Sequence, residues 1–452
     1  MSLMMLAAAA AVAGAQTLNV NVGQVTYAYP AAQVGDITVT ETTVTVGQKT
    51  FAMSSIANIY VDNSVVADSS VTVQYNGAQA KVVVAGDIAD LMTVNVNGAH
   101  VTLLEDATTT SEINYTLSGS SDNGSLYMDG PAKASFIFNG IQLNNPDSAA
   151  INIQDGKRIA LILNDGTQNS LSDGIKVVND GSDAHSACFF VNGHSEFSGA
   201  GMLMIKGMVK HAFASDEYCE IKASTGSIFV SQAVGDGFHI GQYFHQKGGT
   251  LKINANGDGI DIGAKLDTTK ELNGQIILEG GTTDVQANGA TSDAMKCDSH
   301  FTMTGGTFNL KALGAGGRAL NNNGNIDITG GILHGASCGP VFDLGLTTER
   351  KPHGMKSDGN ITISGGEVYI AASASSGTAF KTDYFFTING GILMGIGAKQ
   401  SVPAAASLQM SRPYLGVNVP AGSVVTYNGV SAQVPAEYSI SSGYVLVSKP
   451  GM

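Results

Sequence analysis

The sequence of 452 residues has no tryptophan and only a small share of charged residues, prolines and cysteines. Charged residues make up 13% of the chain, where about 25% is usual for a soluble domain. The apolar share of 43% excludes an extensively disordered chain, and the shortage of Glu, Lys and Arg excludes a long coiled coil. The formal net charge of −14 argues against nucleic acid as a partner, because phosphates require a basic surface.

The four cysteines are too far apart to form a zinc module, which needs close CxxC-type pairs. A chain of this length buries enough surface to fold without disulfides. We therefore predict free, buried thiols, with disulfides as the alternative if the protein is exported. The residues are Cys188, Cys219, Cys297 and Cys338.

Residues 1–15 form an apolar run that ends in Ala13-Gly14-Ala15, the small-residue pattern of a signal-peptide cleavage site before Gln16. The run is too short to cross a bilayer, and no later stretch is apolar enough to do so. No Lys or Arg precedes it, so a buried strand is the alternative. We expect residues 1–15 to be a signal peptide and the protein to be secreted, periplasmic or on the cell surface.

A repeat of about 25 residues dominates the rest of the sequence, which contains 57 glycines. Pairs of a small residue and an apolar anchor recur, with successive anchors 25, 25, 22, 35, 25, 35 and 25 residues apart. In five repeats, a short alternating strand closes with Gly-Gly, whose second glycine follows the anchor by 11 residues. The anchors are Cys188, Phe213, Phe238, Ile260, Met295, Leu320, Met355 and Phe380.

This period is typical of a parallel β-helix, in which each coil holds about three short strands and stacking buries a continuous core. We predict an all-β protein with a right-handed parallel β-helix of about 25 residues per coil over residues 105–400. Alternating strands in residues 16–104 predict an N-terminal β-rich domain or cap. Residues 401–452 lose the period and hold five of the ten prolines, which predicts a C-terminal β cap over the last coil.

Aspartates form a column when the repeats are aligned by their anchors. Asp236, Asp258 and Asp293 each precede an anchor by two positions on successive repeats. At a spacing of about 4.8 Å, two such charges repel by roughly 3.5 kcal/mol at an effective dielectric near 20. Calcium would reverse this repulsion, and Asp261 and Asp298 could complete its ligands. The alternative is that the aspartates only form turns beside glycine.

Cationic and aromatic side chains accompany the aspartates and are candidate ligand-binding residues. Lys296, Lys356 and Lys381 each follow an anchor directly, Arg318 precedes one by two positions, and Lys265 lies in a ten-residue insertion. These cations could pair with sugar carboxylates or with neighbouring aspartates, and the second case is the more common. Tyr243, Tyr369 and Tyr384 are candidate ring platforms for a sugar, although a tyrosine is more often partly buried by packing. No HExxH or phosphate-binding Gly-Lys-Ser/Thr motif is present.

The coils resemble a family of exported bacterial proteins, the carbohydrate-binding domain-containing proteins. The matching features are the Gly257-Asp-Gly-Ile-Asp261 element, the coil over residues 355–366 and the closing segment over residues 445–450. The resemblance covers about residues 105–452. It implies a right-handed parallel β-helix related to pectate-type lyases and calcium-dependent binding of plant or acidic polysaccharides.

These observations predict a secreted, calcium-dependent polysaccharide-binding protein that is a monomer and has no catalytic activity. The first alternative is a calcium-dependent, pectate-type polysaccharide lyase, which needs a base beside the metal to take a proton from the sugar. Lys265, Lys296 and Arg318 keep that alternative open. The second alternative is a structural or adhesive surface protein with no defined sugar ligand.

Overall fold

The computed structural model describes residues 16–174, 187–264, 272–345 and 348–452. The protein is all-β, as predicted, with 58% of its residues in strands, 3% in helix and one large sheet in which most pairings are parallel. Among the described residues, no helix is long and apolar enough to cross a membrane. All four cysteines are free thiols, and three of them are buried, in agreement with the sequence analysis.

The N-terminal region consists of short strands that lead into the repeats. Strand Ser70–Asn76 pairs in parallel with Ile113–Ser121, which joins this region to the large sheet. The 3-10 helices of the region are Ala31–Gln33, Met53–Ser55 and Gly86–Leu91. Its strands are Thr17–Val22, Val25–Pro30, Ile37–Val39, Thr43–Val46, Lys49–Ala52, Ile56–Asp62, Ser70–Asn76, Gln79–Ala85, Met92–Asn97 and His100–Glu105.

The repeats contribute their anchors to a 12-stranded sheet, here called the anchor ladder. It begins with the antiparallel pair Met92–Asn97 and His100–Glu105, and each later strand pairs in parallel with its counterpart in the next repeat. Phe213 pairs with Phe238 and Phe238 with Ile260, as the period predicts. The remaining strands are Ser125–Asp129, Ile151–Ile153, Ala187–Val191, His211–Ser215, Phe238–Ile240, Ile260–Ile262, Met295–Cys297, Leu320–Asn322, Met355–Ser357 and Phe380–Thr382.

The first anchor of the series is displaced by one residue from its predicted position. Phe189, not Cys188, pairs with Phe213, and the two rings lie 5.2 Å apart edge to face. Cys188 instead takes the place of the small residue that precedes each anchor. Both residues are fully buried, so apolar character alone could not distinguish them, whereas the larger ring fills the column of phenylalanines.

A second ladder, the middle ladder, runs through the large sheet. Most of its strands are short, and successive members pair in parallel, for example His194–Ser198 with Cys219–Ile221. The long strands Ala134–Asn145, Ile361–Ala371 and Phe386–Gly397 belong to this ladder and to the next one. The other strands are Ile113–Ser121, Arg158–Leu163, His194–Ser198, Cys219–Ile221, Tyr243–Gln246, Gln275–Leu278, Phe301–Met303 and Ile326–Ile328.

A third ladder, the lateral ladder, completes each repeat and presents alternate side chains to solvent. Its inward positions, such as Ile253 and Leu310, are 2% exposed, whereas their neighbours Lys252 and Asn309 are exposed. Besides the ends of the long strands, it comprises Gln168–Asp173, Met202–Gly207, Ser227–Ala233, Thr250–Ala255, Thr282–Ala287, Thr307–Ala312 and Ile332–Ser337.

The C-terminal strands pair with the last strand of the large sheet and form a second hydrophobic core. Ile440–Ser448 runs antiparallel to the end of Phe386–Gly397 and to Ser411–Val419, and Val424–Tyr427 pairs with Val430–Gln433. This arrangement covers a strand edge that would otherwise be open to other chains. A separate antiparallel pair, Phe342–Gly345 and Thr348–Arg350, projects from a second ten-residue insertion in the repeats, near residues 335–353.

Candidate functional site

The aspartate column is a ladder of hydrogen bonds from backbone to side chain. Asp236 Oδ1 accepts the N–H of Asp258 at 2.8 Å, and Asp258 Oδ1 accepts the N–H of Asp293 at 2.6 Å. Asp293 Oδ1 accepts the N–H of Arg318 at 2.9 Å. The three aspartates therefore lie on neighbouring repeats, as the alignment predicts, and each uses one carboxylate oxygen to bind the repeat that follows.

The small residues between these aspartates and the anchors allow the repeats to approach closely. A Cβ added at Gly259 would collide with the side chain of Val285 and the carbonyl oxygen of Ala294, and one added at Gly237 would collide with Ile253. Glycine thus lets the chain run from the aspartate into the buried anchor without displacing the next repeat.

The second oxygen of each column aspartate faces a cationic or imidazole side chain. Asp236 Oδ2 lies 2.9 Å from His239 Nδ1, Asp258 Oδ2 lies 3.7 Å from Lys296 Nζ, and Asp293 Oδ2 lies 2.7 Å from Arg350 Nη2. Each carboxylate therefore has a cationic or ionisable partner within the protein. Of the three pairs, that of Asp258 has the longest separation.

Lys296 lies among the remaining carboxylates that sequence analysis assigned to a metal. Its Nζ is 2.8 Å from Asp261 Oδ1, and the other oxygen of Asp261 lies 3.2 Å from His239. Both oxygens of Asp298 bind other residues: Oδ1 accepts a hydrogen bond from Asn323 and Oδ2 accepts the N–H of Ala264. The structure thus groups Asp258 and Asp261 around a lysine, with Asp298 at the edge of the group.

Burial and unequal pairing separate the acidities of these groups. Burial, followed by the charge of Asp293, raises the pKa of Asp258 to about 7. Burial also raises the pKa of Asp293, against the opposing charge of Arg350. We place the proton of this pair on Asp258, because Asp293 has the closer cation. Hydrogen bonds to Asp236 and then to Asp261 raise the pKa of His239 to about 9, so His239 is cationic at neutral pH.

Two histidines and an aspartate form a group that could hold a metal. One ligand atom each from His211, Asp236 and His239 lies within 4.8 Å of the others, and the two imidazoles stack 4.4 Å apart. Two nitrogen donors and one oxygen suit zinc or a similar transition ion better than calcium. The sequence analysis missed His211, although it precedes its anchor by two positions, in the same column as the aspartates.

The predicted ligand-binding residues are scattered over different surroundings. Arg318 donates to Asn321 Oδ1 at 2.9 Å and to the carbonyl of Lys351, and burial, followed by the charge of a neighbouring arginine, lowers its pKa to about 10. Lys356 forms an ion pair with Asp358, and Lys296 is in the carboxylate group described above. Lys265 lies outside the described residues.

Tyr243 belongs to a column of stacked rings on the middle ladder. Its ring lies 4.7 Å from that of Tyr218, at 16° to it, and Tyr218 stacks on His194 at 4.4 Å. The rings cover one another's faces along the column. Stacking between rings therefore competes with the role of a sugar platform that the sequence suggested for Tyr243.

A basic cavity of about 410 Å³ lies beside the last anchor strand. Lys351, Lys381 and Lys399 line it together with His353 and Tyr384, whose side chain is 68% exposed. Lys381 also contacts Asp383 at 2.9 Å. Burial, followed by the charge of Arg318, lowers the pKa of His353 to about 3, so its imidazole is neutral at physiological pH. Of these lining residues, the sequence indicated Lys381, which occupies the same column as Lys296 and Lys356, and Tyr384, as a possible sugar platform, but none of the others.

The comparison with known protein families identifies the group to which the repeats belong. A family model described as "Carbohydrate-binding domain-containing protein" matches residues 97–401. The chain belongs to this family. The resemblance suggested by the coil motifs is thereby confirmed, and the match spans the anchor strands of all repeats from Ser125–Asp129 to Phe380–Thr382.

Among solved structures, the chain is similar to a polysaccharide lyase-like protein from C. thermocellum, determined as a gadolinium derivative. The two share 20% sequence identity with a TM-score of 0.48, and the similarity covers 58% of this chain and 100% of that one. No curated protein matches the chain.

The raised pKa of Asp258 predicts a stability that falls as the pH rises from about 4 to about 7, because the native state holds a proton that the unfolded chain releases. Asp258→Asn keeps the acceptor oxygen for Asp293 and removes the charge. In calcium-free buffer, the variant should match the wild type near pH 4 and exceed its free energy of unfolding by on the order of 1–3 kcal/mol at pH 8.

Urea unfolding between pH 4 and pH 8 measures this difference. Asp343→Asn, which neutralises an exposed carboxylate in the projecting strand pair, is the matched control and should leave the profile unchanged. Parallel profiles for wild type and Asp258→Asn would show that the native state does not raise the pKa of Asp258.

Proposed function

We propose that the protein binds acidic polysaccharides at the basic cavity beside the last anchor strand and does not cleave them. Family membership supports a carbohydrate ligand. The observation that carries the acidic preference is the grouping of Lys351, Lys381 and Lys399 around one cavity in a chain whose net charge is −14. Such a local reversal of charge attracts a polyanion that the rest of the surface repels.

The chemistry of the cavity suits uronate residues. Lysine ammonium groups on flexible stems act as mobile point charges for carboxylates. Nδ1 of neutral His353 accepts the N–H of Thr378, so its Nε2–H remains to donate to a hydroxyl group. The exposed ring of Tyr384 lies at the same site and offers an apolar surface for a sugar ring. These features support binding and orientation of the polysaccharide.

Binding without catalysis is supported by the protonation of two of the three candidate bases, Lys296 and Arg318; the third, Lys265, lies outside the described residues. A lyase needs a base that is deprotonated near the working pH. The charge of Asp261 and its hydrogen bond to Lys296 raise the pKa of that lysine despite its burial, so it stays protonated. Arg318, whose pKa is lowered only to about 10, is also protonated at neutral pH.

The fold and location that go with this function are part of the proposal. Each ladder receives one strand from every repeat, and the pairings between successive repeats are parallel. This topology supports winding as a parallel β-helix. Right-handed crossovers are the rule for such connections. Export of a monomer through a signal peptide at residues 1–15, which lie outside the described residues, is compatible with a carbohydrate-binding family.

Calcium at the aspartate column is a further part of the proposal. The carboxylates of Asp258 and Asp261 are hard oxygen donors of the type that calcium prefers, but Nζ of Lys296 lies between them. Calcium would have to displace this ammonium group, with Asp236, Asp293 and Asp298 nearby to add oxygen atoms. A bound calcium ion would supply positive charge that can bridge to a sugar carboxylate.

The cavity lysines should dominate affinity for an acidic glycan. We expect the double variant Lys381→Met/Lys399→Met to bind polygalacturonate at least about tenfold more weakly, which corresponds to about 1.4 kcal/mol. Isothermal titration in the presence of chelator measures this loss without a contribution from calcium. The control Lys81→Met/Lys133→Met removes two exposed lysines elsewhere and should bind like the wild type.

Equal affinity of both double variants would show that the cavity is not the acidic site.

Wild-type protein incubated with polygalacturonate and calcium also tests for cleavage, through the absorbance of unsaturated products. The absorbance should stay at baseline. A steady rise that depends on Arg318 or Lys296 would favour the lyase alternative.

Competition between calcium and Lys296 gives a separate prediction. Lys296→Met removes the ammonium group from the carboxylates, so it should bind calcium more tightly than the wild type. Asp258→Asn should bind it about tenfold more weakly, because one charged ligand is lost. Calorimetric titration of calcium into the three proteins measures this order. If no calcium is taken up even by Lys296→Met, the aspartates serve only the ladder of backbone hydrogen bonds.

A further inference from the structure

A groove of about 920 Å³ runs along the outward face of the lateral ladder, away from the basic cavity. Its floor extends over seven paired strands, from Ser227–Ala233 to the end of Phe386–Gly397. At about 4.8 Å per strand, the floor is about 29 Å long. This length suits an extended chain of several sugar units, whereas a single sugar would occupy only a fraction of it.

In-register pairing places the floor side chains in two outward columns. In the first, Lys252 pairs with Asp284 and Asp284 with Asn309. In the second, Asn254 pairs with Gln286. The first column continues through His334 to Tyr369 and Met394. The central part of the floor therefore presents amide groups, and its C-terminal end presents the rings of His334 and Tyr369, whereas Met394 is buried in the second hydrophobic core.

The C-terminal region forms one wall of the groove. Residues 432–435 line the groove, and Val434 belongs to a hydrophobic cluster that also includes Ala336 and Ala371 of the lateral ladder. Tyr438 donates a hydrogen bond to the carbonyl of Ala372 at 2.9 Å. The predicted cap therefore also packs sideways on the ladder, and this overhang turns a sheet face into a groove.

The charges of the groove are balanced. Lys311 forms an ion pair with Glu437 at 3.2 Å, and Lys252 lies beside Asp284 in the ladder. Burial lowers the pKa of His334, so it is neutral at physiological pH. With no excess of positive charge among these groups, the groove offers little attraction for uronates, in contrast to the basic cavity.

The remaining lining groups match a neutral sugar chain. The amides of Asn254 and Gln286 are each hydrogen-bonded to Asn288, and that of Asn309 is hydrogen-bonded to Asp284. Their remaining donor hydrogens and acceptor lone pairs can bind hydroxyl groups. The rings of His334 and Tyr369 stack 4.9 Å apart and present apolar edges to the C–H surfaces of sugars. A few polar groups within a mostly apolar cleft are typical of ligand sites.

We propose that this groove is a second carbohydrate-binding site, which takes an extended neutral polysaccharide chain along the lateral ladder. The proposal rests on the carbohydrate-binding function inferred above. It assigns a different face and a different class of glycan from the basic cavity, so the two sites would let the protein hold acidic and neutral polysaccharides together.

Titration with cellohexaose, mannohexaose and xylohexaose, and with their disaccharides, tests the proposal. At least one hexasaccharide should bind the wild type, and it should bind at least about tenfold more tightly than its disaccharide because it spans more of the floor. Asn254→Ala/Asn309→Ala should weaken this binding by about tenfold. Asn309→Trp, which places a bulky ring on the exposed floor, should abolish it. Circular dichroism confirms that each variant is folded.

The control Asn139→Ala/Asn164→Ala removes an exposed amide pair elsewhere on the chain and should bind the hexasaccharide like the wild type. Polygalacturonate should bind the wild type and the three asparagine variants equally, and Lys381→Met/Lys399→Met should keep its hexasaccharide affinity. The proposal is overturned if no hexasaccharide binds, or if the groove variants bind it normally. A wild-type protein that binds a hexasaccharide but not polygalacturonate would instead contradict the basic cavity. Failure of the groove and failure of the basic cavity are therefore distinguishable.

Discussion

The parallel pairing of each repeat with the next is the interaction on which the rest of the structure depends. It places equivalent residues directly above one another at the spacing of neighbouring strands, about 4.8 Å. For phenylalanine this repetition is favourable, and Phe213 and Phe238 pack with ring centroids 5.0 Å apart. For aspartate it is unfavourable unless each charge is compensated, so the same rule that builds the core creates the electrostatic problem at the surface.

The aspartate column shows how the protein resolves that problem. One oxygen of each carboxylate binds the backbone of the following repeat, and the other faces His239, Lys296 or Arg350. Asp258, which has the most distant cation, is the group whose pKa is raised to about 7. Farther along the chain, the same column position holds the cation Arg318 and then His353, whose buried imidazole is neutral, so the run of carboxylates in this column ends at Asp293.

The sequence predicted those parts of the structure that follow from the period. Aligning the repeats by their anchors is enough to predict the all-β class and the pairing of anchors such as Phe238 with Ile260. The same alignment places the column aspartates on neighbouring repeats. The displacement at Cys188 escaped prediction because two adjacent buried residues satisfy the same apolar pattern. A period cannot resolve which of them carries the side chain that fills the stack.

Apart from His211, which lies within the aspartate column, the missed parts of the candidate sites come from segments that interrupt the period. Arg350 reaches Asp293 from the second insertion, whose path no repeat determines. The wall of the lateral groove depends on residues 432–435, in a region without the repeat. Partners that meet only after folding, such as Lys311 and Glu437, leave no local pattern in the sequence.

In-register stacking is proposed to present two chemically different glycan sites on two faces of one protein. Crystals soaked together with a galacturonate oligosaccharide and a neutral hexasaccharide that binds in solution test this arrangement directly. We expect simultaneous density for the acidic sugar beside Lys381 and Lys399 and for the neutral chain along Asn254 and Asn309. Density for both sugars at a single site, or at neither of these two faces, would contradict it.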